Sequence, residues 1–259
     1  MRLSGTVFSN TLEMDTTISI VTPNHLTQDQ PYKVAYLLHG LCGNSSSWLD
    51  YSLLPLYAMN GSTVYILPDA ARSFYTDMKH GFRYFTYITE ELPQICRSVF
   101  RISAERENTA ILGCSMGGYG ALKCALTKPE QYGMCGAFSS GCLFMKENMD
   151  FIQSQGWDTA AQLFGRQLLT DIPAAFGQNL EWQPDYEISE LARQAKESGL
   201  LPELYLTCGT EDHFYPDHVK FGKLLDELGI AYTFEQWQAK HDLYYFNDAL
   251  KKAIDKFRL

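Results

Sequence analysis

Six short apolar runs recur along this chain with helical patterns between them, and that rhythm leaves few architectures open. The runs are "KVAYLLHG" (33–40), "TVYILPD" (63–69), "NTAILGC" (108–114), "MCGAFSSG" (134–141), "ELYLTCG" (203–209) and "AYTFEQW" (231–237). Short, near-continuous apolar runs of this kind read as strands buried on both faces. Helical spacing fills the intervals: "SSSWLDYSLLPLYAM", "YFTYITEELPQICRSVF" (84–100), "MGGYGALKCALTKP", "PDHVKFGKLLDELG" (216–229) and the closing "DLYYFNDALKKAIDKF". In the second of these, Pro93 marks a kink or a start, because proline has no N–H to donate. Strands alternating with helices predict an α/β fold with a mostly parallel central sheet covered on both faces.

Two further strands, 2–9 and 12–22, precede the first buried run. They are rich in β-branched residues and meet at an Asn10-Thr11 turn, so they predict an antiparallel N-terminal hairpin at the sheet edge. Residues 142–200 break the rhythm. The segment is too long for an ordinary connection. It carries Phe144, Phe151, Trp157, Phe164, Phe176 and Trp182, which suggests a helical lid or cap inserted into a single domain spanning 1–259.

The chain has 259 residues, 46% of them hydrophobic, enough to bury one sizeable core. A net charge of −9 and the lack of any Lys/Arg run argue against binding a phosphate backbone. The first residues contain no apolar signal-peptide core. No apolar run approaches the roughly 18 residues needed to span a bilayer. Seven cysteines, odd in number and without a CxxC pair, read as reduced and mostly buried thiols of a cytoplasmic protein.

The chemistry concentrates in "ILGCSMGGYGALKCAL" (111–126). Gly113-x-Ser115-x-Gly117 sits where a strand passes into a helix, the setting of a nucleophile elbow. The glycines give a tight turn the clearance it needs, and the helix N-terminus places partial positive charge where an oxyanion would form. In such a fold the acid and then the base follow the serine in chain order. His25, in a polar loop, His39 and His80 all precede Ser115. Of the three that follow, His218 reads as a surface residue of a helix, and His213 shares a loop with the candidate acids. His241 lies after the sixth strand, on the carboxyl edge where Ser115 emerges, and is the candidate base.

Glu211, Asp212 and Asp217 compete for the role of the acid in "TCGTEDHFYPDH". Asp212 stands where the chain leaves the strand edge and is the candidate, with Glu211 facing solvent. Asp212, His213, Asp217 and His218 match no familiar metal-ligand spacing. One oxyanion donor is expected from the Met116 N–H. The other is expected from "HGLCGNSSSW", with Leu41 first and Cys42 close behind. Cys114 and Cys42 flank this site and read as packing thiols.

Taken together, "LLHGLCGN", "LPDAARSFYTD", "YITEELPQ", "GCSMGGYGALKCAL", "CGTEDHFY" and "HDLYYFNDAL" resemble the esterase D-like α/β-hydrolases, in particular the tributyrin esterase and acetyl/feruloyl esterase branch. The resemblance runs nearly end to end and is weakest across 142–200. It implies a serine carboxylesterase acting on short-chain or aromatic acyl esters, carbohydrate esters included, through an acyl-enzyme, with no metal or organic cofactor. Relatives form dimers and tetramers, so a homo-oligomer is implied as well. The base segment reads Lys240-His241-Asp242-Leu243 where that branch often has Gly-His-Asp-Trp. An S-formylglutathione hydrolase-type thioesterase is the alternative within enzymes, and a non-catalytic binding protein on the same fold is the alternative outside them.

Overall fold

The computed structural model describes residues 1–24 and 30–259, and the side chains of all of these except 163 and 164. The loop read around His25 lies outside the described residues, as does the side chain of Phe164. Eight strands form one sheet in the order β1-β2-β4-β3-β5-β6-β7-β8. They are β1 (Arg2–Ser9), β2 (Met14–Val21), β3 (Lys33–Leu38), β4 (Thr63–Pro68), β5 (Thr109–Cys114), β6 (Met134–Phe138), β7 (Glu203–Gly209) and β8 (Tyr232–Trp237). β1 and β2 pair antiparallel, as do β2 and β4, and every other neighbouring pair is parallel. The expected α/β architecture with an N-terminal antiparallel hairpin is therefore present.

β4, β5 and β6 are buried at every position, as continuous apolar runs require when both faces are covered. β8 departs from the expectation of a sixth buried strand. It is the sheet edge, and its residues are half-buried or exposed. An edge strand has one neighbour instead of two, and apolar residues alone do not reveal that.

The helices are α1 (Ser47–Asp50), α2 (Leu54–Tyr57), α3 (Tyr84–Thr86), α4 (Leu92–Val99), α5 (Met116–Thr127), α6 (Met145–Gln155), α7 (Trp157–Phe164), α8 (Leu168–Phe176), α9 (Ile188–Ser198), α10 (Tyr215–Glu227) and α11 (Leu243–Phe257). One core cluster gathers α4, α5, α9 and α10 on one face of the sheet. The other gathers α1, α2 and α11 on the opposite face. The pattern over 84–100 resolves into α3, a π-helical turn at Tyr87–Glu91, and α4. Pro93 is the second residue of α4 and stands just past the π turn, inside a backbone that is already helical at Glu91.

Segment 142–200 folds as α6, α7, α8, a 3₁₀ turn (Pro184–Tyr186) and α9. It has no separate core: Phe144, Met149, Phe176 and Tyr186 belong to the same cluster as β3 and α5. Phe151 and Trp182 stay at the surface.

Because β3 to β8 run parallel, their carboxyl ends open on one edge. The connections at 39–46, 69–83, 115, 139–142, 210–214 and 238–242 all leave the sheet there. In an open parallel sheet this edge is where a site is built.

Candidate active site

Ser115 sits between β5 and α5 with φ 56° and ψ −119°, a conformation that costs a non-glycine residue energy and survives only where its surroundings enforce it. The enforcement is visible. Its N–H donates to the Phe138 carbonyl at 2.9 Å, and its carbonyl accepts from Gly118, Tyr119 and Gly141 at 3.0, 3.2 and 3.3 Å. The glycines of the motif are needed for close approach. A Cβ on Gly113 would lie 2.1 Å from the Gly117 carbonyl oxygen, and one on Gly117 would lie 2.4 Å from that of Leu38.

From Ser115 a hydrogen-bond chain runs inward. His241 Nε2 lies 3.0 Å from Ser115 Oγ, and His241 Nδ1 lies 2.7 Å from Asp212 Oδ2. An ionised carboxylate can only accept, so Nδ1 carries the proton and Nε2 is left to accept from the serine hydroxyl. Burial opposes ionisation of Asp212, but the hydrogen bonds from His241, the Phe214 N–H and the Ser139 hydroxyl outweigh it and hold the pKa down to about 2. The Phe214 N–H reaches Oδ1 at 2.9 Å, and Ser139 Oγ reaches Oδ2 at 2.6 Å. The imidazole stands edge-on to the rings of Phe214 and Phe246, with centroids 5.4 and 5.0 Å away.

The acid and base loops are joined through backbone. Thr210 N–H donates to the Trp237 carbonyl at 2.9 Å and Glu211 N–H to that of Ala239 at 3.0 Å, continuing the β7–β8 ladder past the strand ends. The Glu211 side chain is exposed and accepts from Gln238 Nε2 at 2.8 Å. His213 is 59% exposed, with Nδ1 3.4 Å from Asp212 Oδ1.

His218 is not a surface residue, contrary to the expectation from its helical pattern. It is buried, its Nε2 accepts from the Ser140 N–H at 3.1 Å, and its Nδ1–H donates to the Phe214 carbonyl at 3.0 Å. Burial pushes its pKa down to about 4. It therefore ties the loop after β6 to the acid loop as a neutral ring. The spacing carries a signal that the surface reading passed over: His218 lies three, four and seven residues before Phe221, Gly222 and Leu225, the other buried positions of α10.

Both expected oxyanion donors stand on the same edge. Met116 is the first residue of α5, whose leading N–H groups have no partner inside the helix. The peptide between Gly40 and Leu41 is held from its carbonyl end, since Gly40 O accepts from the Gly43 N–H at 2.9 Å and from His39 Nδ1 at 2.8 Å. Among the described residues every peptide bond is trans. The Leu41 N–H therefore points the opposite way, away from His39 and Gly43. Among the described residues, no protein acceptor takes the N–H of Leu41 or Met116.

His39, passed over as a base because it precedes Ser115, joins the loops after β3 and β4. Its Nε2 accepts from the Ala70 N–H at 3.0 Å, so Nδ1 must be the protonated nitrogen. Burial lowers its pKa and favours this neutral form. Ser139 and Arg72 also contact the site; they lie within "MCGAFSSG" and "LPDAARSFYTD", whose patterns give neither residue a role. Cys42 is exposed, against the packing role expected of it, whereas Cys114 is buried with its thiol pushed up to about 12 by desolvation. Among the described residues no group of three His, Cys, Asp or Glu side chains could hold a metal ion, and no helix is long and apolar enough to cross a membrane.

Comparison with known proteins places this geometry in a family. Residues 9–256 match the protein family described as "Putative esterase". The acetyl esterase of Caldicellulosiruptor saccharolyticus is 28% identical over 261 residues, covering 96% of this chain and 94% of its own. The fluorophosphonate-binding serine hydrolase F of Staphylococcus aureus superposes with a TM-score of 0.85 at 26% identity, over 99% of this chain and 98% of that one. The S-formylglutathione hydrolase of the same organism gives 0.83 at 26% identity, over the same shares of the two chains. The chain belongs to this esterase family and is a serine carboxylesterase on the α/β-hydrolase fold.

Proposed function

We propose that Ser115 is the nucleophile, His241 the general base and acid, and Asp212 the residue that orients and charges the imidazole. The observation that carries this reading is the unbroken chain Ser115 Oγ to His241 Nε2 to Asp212 Oδ2, at 3.0 and 2.7 Å on the carboxyl edge of the sheet. Ser115 Oγ bonds to the ester carbonyl carbon as its proton passes to His241 Nε2. The carbonyl oxygen becomes an oxyanion facing the Leu41 and Met116 amides. The carbon–oxygen bond to the alcohol then breaks as His241 returns the proton to it. Water, deprotonated by His241, attacks the acyl-enzyme carbonyl carbon, and the bond to Ser115 Oγ breaks as His241 returns the proton to that oxygen, releasing the acid.

The substrates are short-chain acyl esters, with aromatic acyl esters next, and segment 142–200 forms the lid over the acyl side. The acetyl esterase relative, alike over nearly its whole length, supports the short chain. All seven cysteines are unpaired, which supports a cytoplasmic location. A homo-oligomer is expected and is read by light scattering. The test is a panel of p-nitrophenyl acetate, butyrate and longer esters with methyl ferulate, run on the wild type and on Ser115→Ala. Turnover should be highest on acetate or butyrate and vanish in the variant. Undiminished turnover by Ser115→Ala overturns the assignment.

A second reading is thioester hydrolysis by the same residues, favoured by the likeness to the S-formylglutathione hydrolase. A kcat/KM for S-formylglutathione far above that for acetyl esters would put it first.

A further inference from the structure

The loop after β4 grips both the oxyanion loop and segment 142–200. Toward the oxyanion loop, the Ala70 N–H donates to His39 Nε2 at 3.0 Å, the Tyr75 hydroxyl to the His39 carbonyl at 2.9 Å, and Arg72 Nη1 to the Leu41 carbonyl at 3.3 Å. Toward α8, Arg72 Nε meets Asp171 Oδ2 at 2.6 Å, and the rings of Phe74 and Phe176 lie 5.3 Å apart. Nearby, the N–H groups of Lys79 and His80 take the α8 carbonyls of Ala175 and Ala174 at 3.1 and 2.9 Å. Asp171 is buried, and its other oxygen accepts from Gln167 at 3.2 Å. Three non-glycine residues of the loop, Ala71, Phe74 and Tyr75, have φ of 46, 53 and 50°. Such strain persists only where neighbours over-determine the backbone. Here those neighbours are the two elements the loop joins.

Arg72 stands at the junction, with one guanidinium shared between α8 and the peptide that follows Leu41. We infer that Arg72 is a positioning residue that transmits the seating of α8 to the oxyanion loop. With Asp171 holding its Nε, the guanidinium stays planar against the Leu41 carbonyl and keeps the oxyanion-loop amides in place before charge develops. Without that anchor the loop must be ordered during the reaction, at the expense of the chemical step and not of substrate binding. Lysine is a poor replacement, because a single ammonium cannot present the rigid fork that serves both partners. The inference rests on the assignment of Ser115 and Leu41 above.

The experiment measures kcat and KM on p-nitrophenyl acetate for the wild type, Arg72→Ala, Arg72→Lys, Asp171→Asn and Arg72→Ala/Asp171→Asn. It also measures Ki for a trifluoromethyl ketone, which takes the Ser115 oxygen at its carbonyl carbon and leaves an oxyanion in the hole. Arg72→Ala should lower kcat roughly tenfold with KM within about twofold, below the ~10²–10³-fold loss of an outright donor. The ketone Ki should rise by a matching factor. Asp171→Asn should lose about threefold, Arg72→Lys should recover less than half of the loss, and the double variant should be no worse than Arg72→Ala alone, since the two act in series.

A kcat within about twofold of wild type in Arg72→Ala, a kcat loss without a change in Ki, or losses that multiply in the double variant would each overturn the inference. If Arg72→Ala does not fold, Asp171→Asn decides by the same two readouts. An inactive wild type, or an active Ser115→Ala, counts against the catalytic assignment. An active wild type, an inert Ser115→Ala and an indifferent Arg72 count against this inference alone.

Discussion

The two sides of the proposed active site are held by different kinds of bond. On the acid and base side, the loops carrying Asp212 and His241 are stitched main chain to main chain, through Thr210 to Trp237 and Glu211 to Ala239, as an extension of the β7–β8 ladder. On the oxyanion side, the loop after β3 is held largely by side chains, namely His39, Tyr75 and Arg72. Side-chain identity barely affects a backbone ladder, so the first side should tolerate nearby substitution. The second side depends on individual residues, and each can be removed singly. In the proposed mechanism both sides must be in place before charge develops, and the oxyanion side relies more on single side chains to be so.

Substitutions test this contrast at several strengths. Removal of the relay should be the largest effect. Ser115→Ala or His241→Ala should cost ~10⁶ in kcat on p-nitrophenyl acetate, and Asp212→Asn ~10⁴, with unchanged circular dichroism. A small loss in Asp212→Asn would mean that the ladder alone orients His241.

Gly117→Ala comes next, because its new Cβ meets the carbonyl oxygens of Leu38 and His39 at 2.4 and 2.6 Å and must push the elbow off the oxyanion loop. A loss of about 3 kcal/mol or more in urea unfolding is expected.

Acid titration follows. His218 has a native pKa lowered to about 4 by burial, so between its ordinary value near 6.5 and 4 the unfolded chain binds a proton that the native one does not. Stability therefore falls as pH drops through that window, by about 3 kcal/mol for this group. The loss should flatten in His218→Leu, read as Tm against pH. Asp212 acts lower down. Its depressed pKa of about 2 gives stability that is present above about 4 and lost as pH falls toward 2.

His39→Ala should lower kcat about tenfold or more and raise the Ki of the ketone, because it leaves the Gly40 carbonyl with the Gly43 N–H alone and the Ala70 N–H without its acceptor. The smallest effect is the other half of the comparison. Glu211→Ala, on the backbone-stitched side, removes only a surface contact to Gln238 and should change kcat by less than about twofold. A large loss there would erase the distinction between the two sides.

Much of this architecture was legible before any coordinates, for a physical reason. A strand buried on both faces must be apolar throughout, and a tight turn beneath a helix must be glycine. The parallel sheet, the elbow at Ser115 and the order of Ser115, Asp212 and His241 along the chain all follow from such local necessities. What was not legible depended on burial or on partners far apart in sequence. Ser139 reaches Asp212 across 73 positions and Arg72 reaches Asp171 across 99. Neither pair leaves a local pattern. His218 shares the apolar face of α10 with Phe221 and Leu225, but the spacing does not disclose the Ser140 and Phe214 backbone groups that satisfy its ring, and nothing local marks Cys42 as exposed. The apparent single helix at 84–100 is interrupted by a π turn, which Pro93 alone did not disclose.

The amino-acid sequence by itself determined which residues have chemistry to offer and on which strand ends they stand, because pattern, turn chemistry and chain order are properties of neighbours in the chain. Only the tertiary structure decided how those ends meet. It set the 3.0 and 2.7 Å relay, left the Leu41 and Met116 amides without protein acceptors, kept His39 and His218 neutral, and placed Arg72 between α8 and the oxyanion loop. Distances of a few tenths of an ångström and the loss of water around a charged or polar group arise from packing between segments remote in sequence, and no local rule contains them.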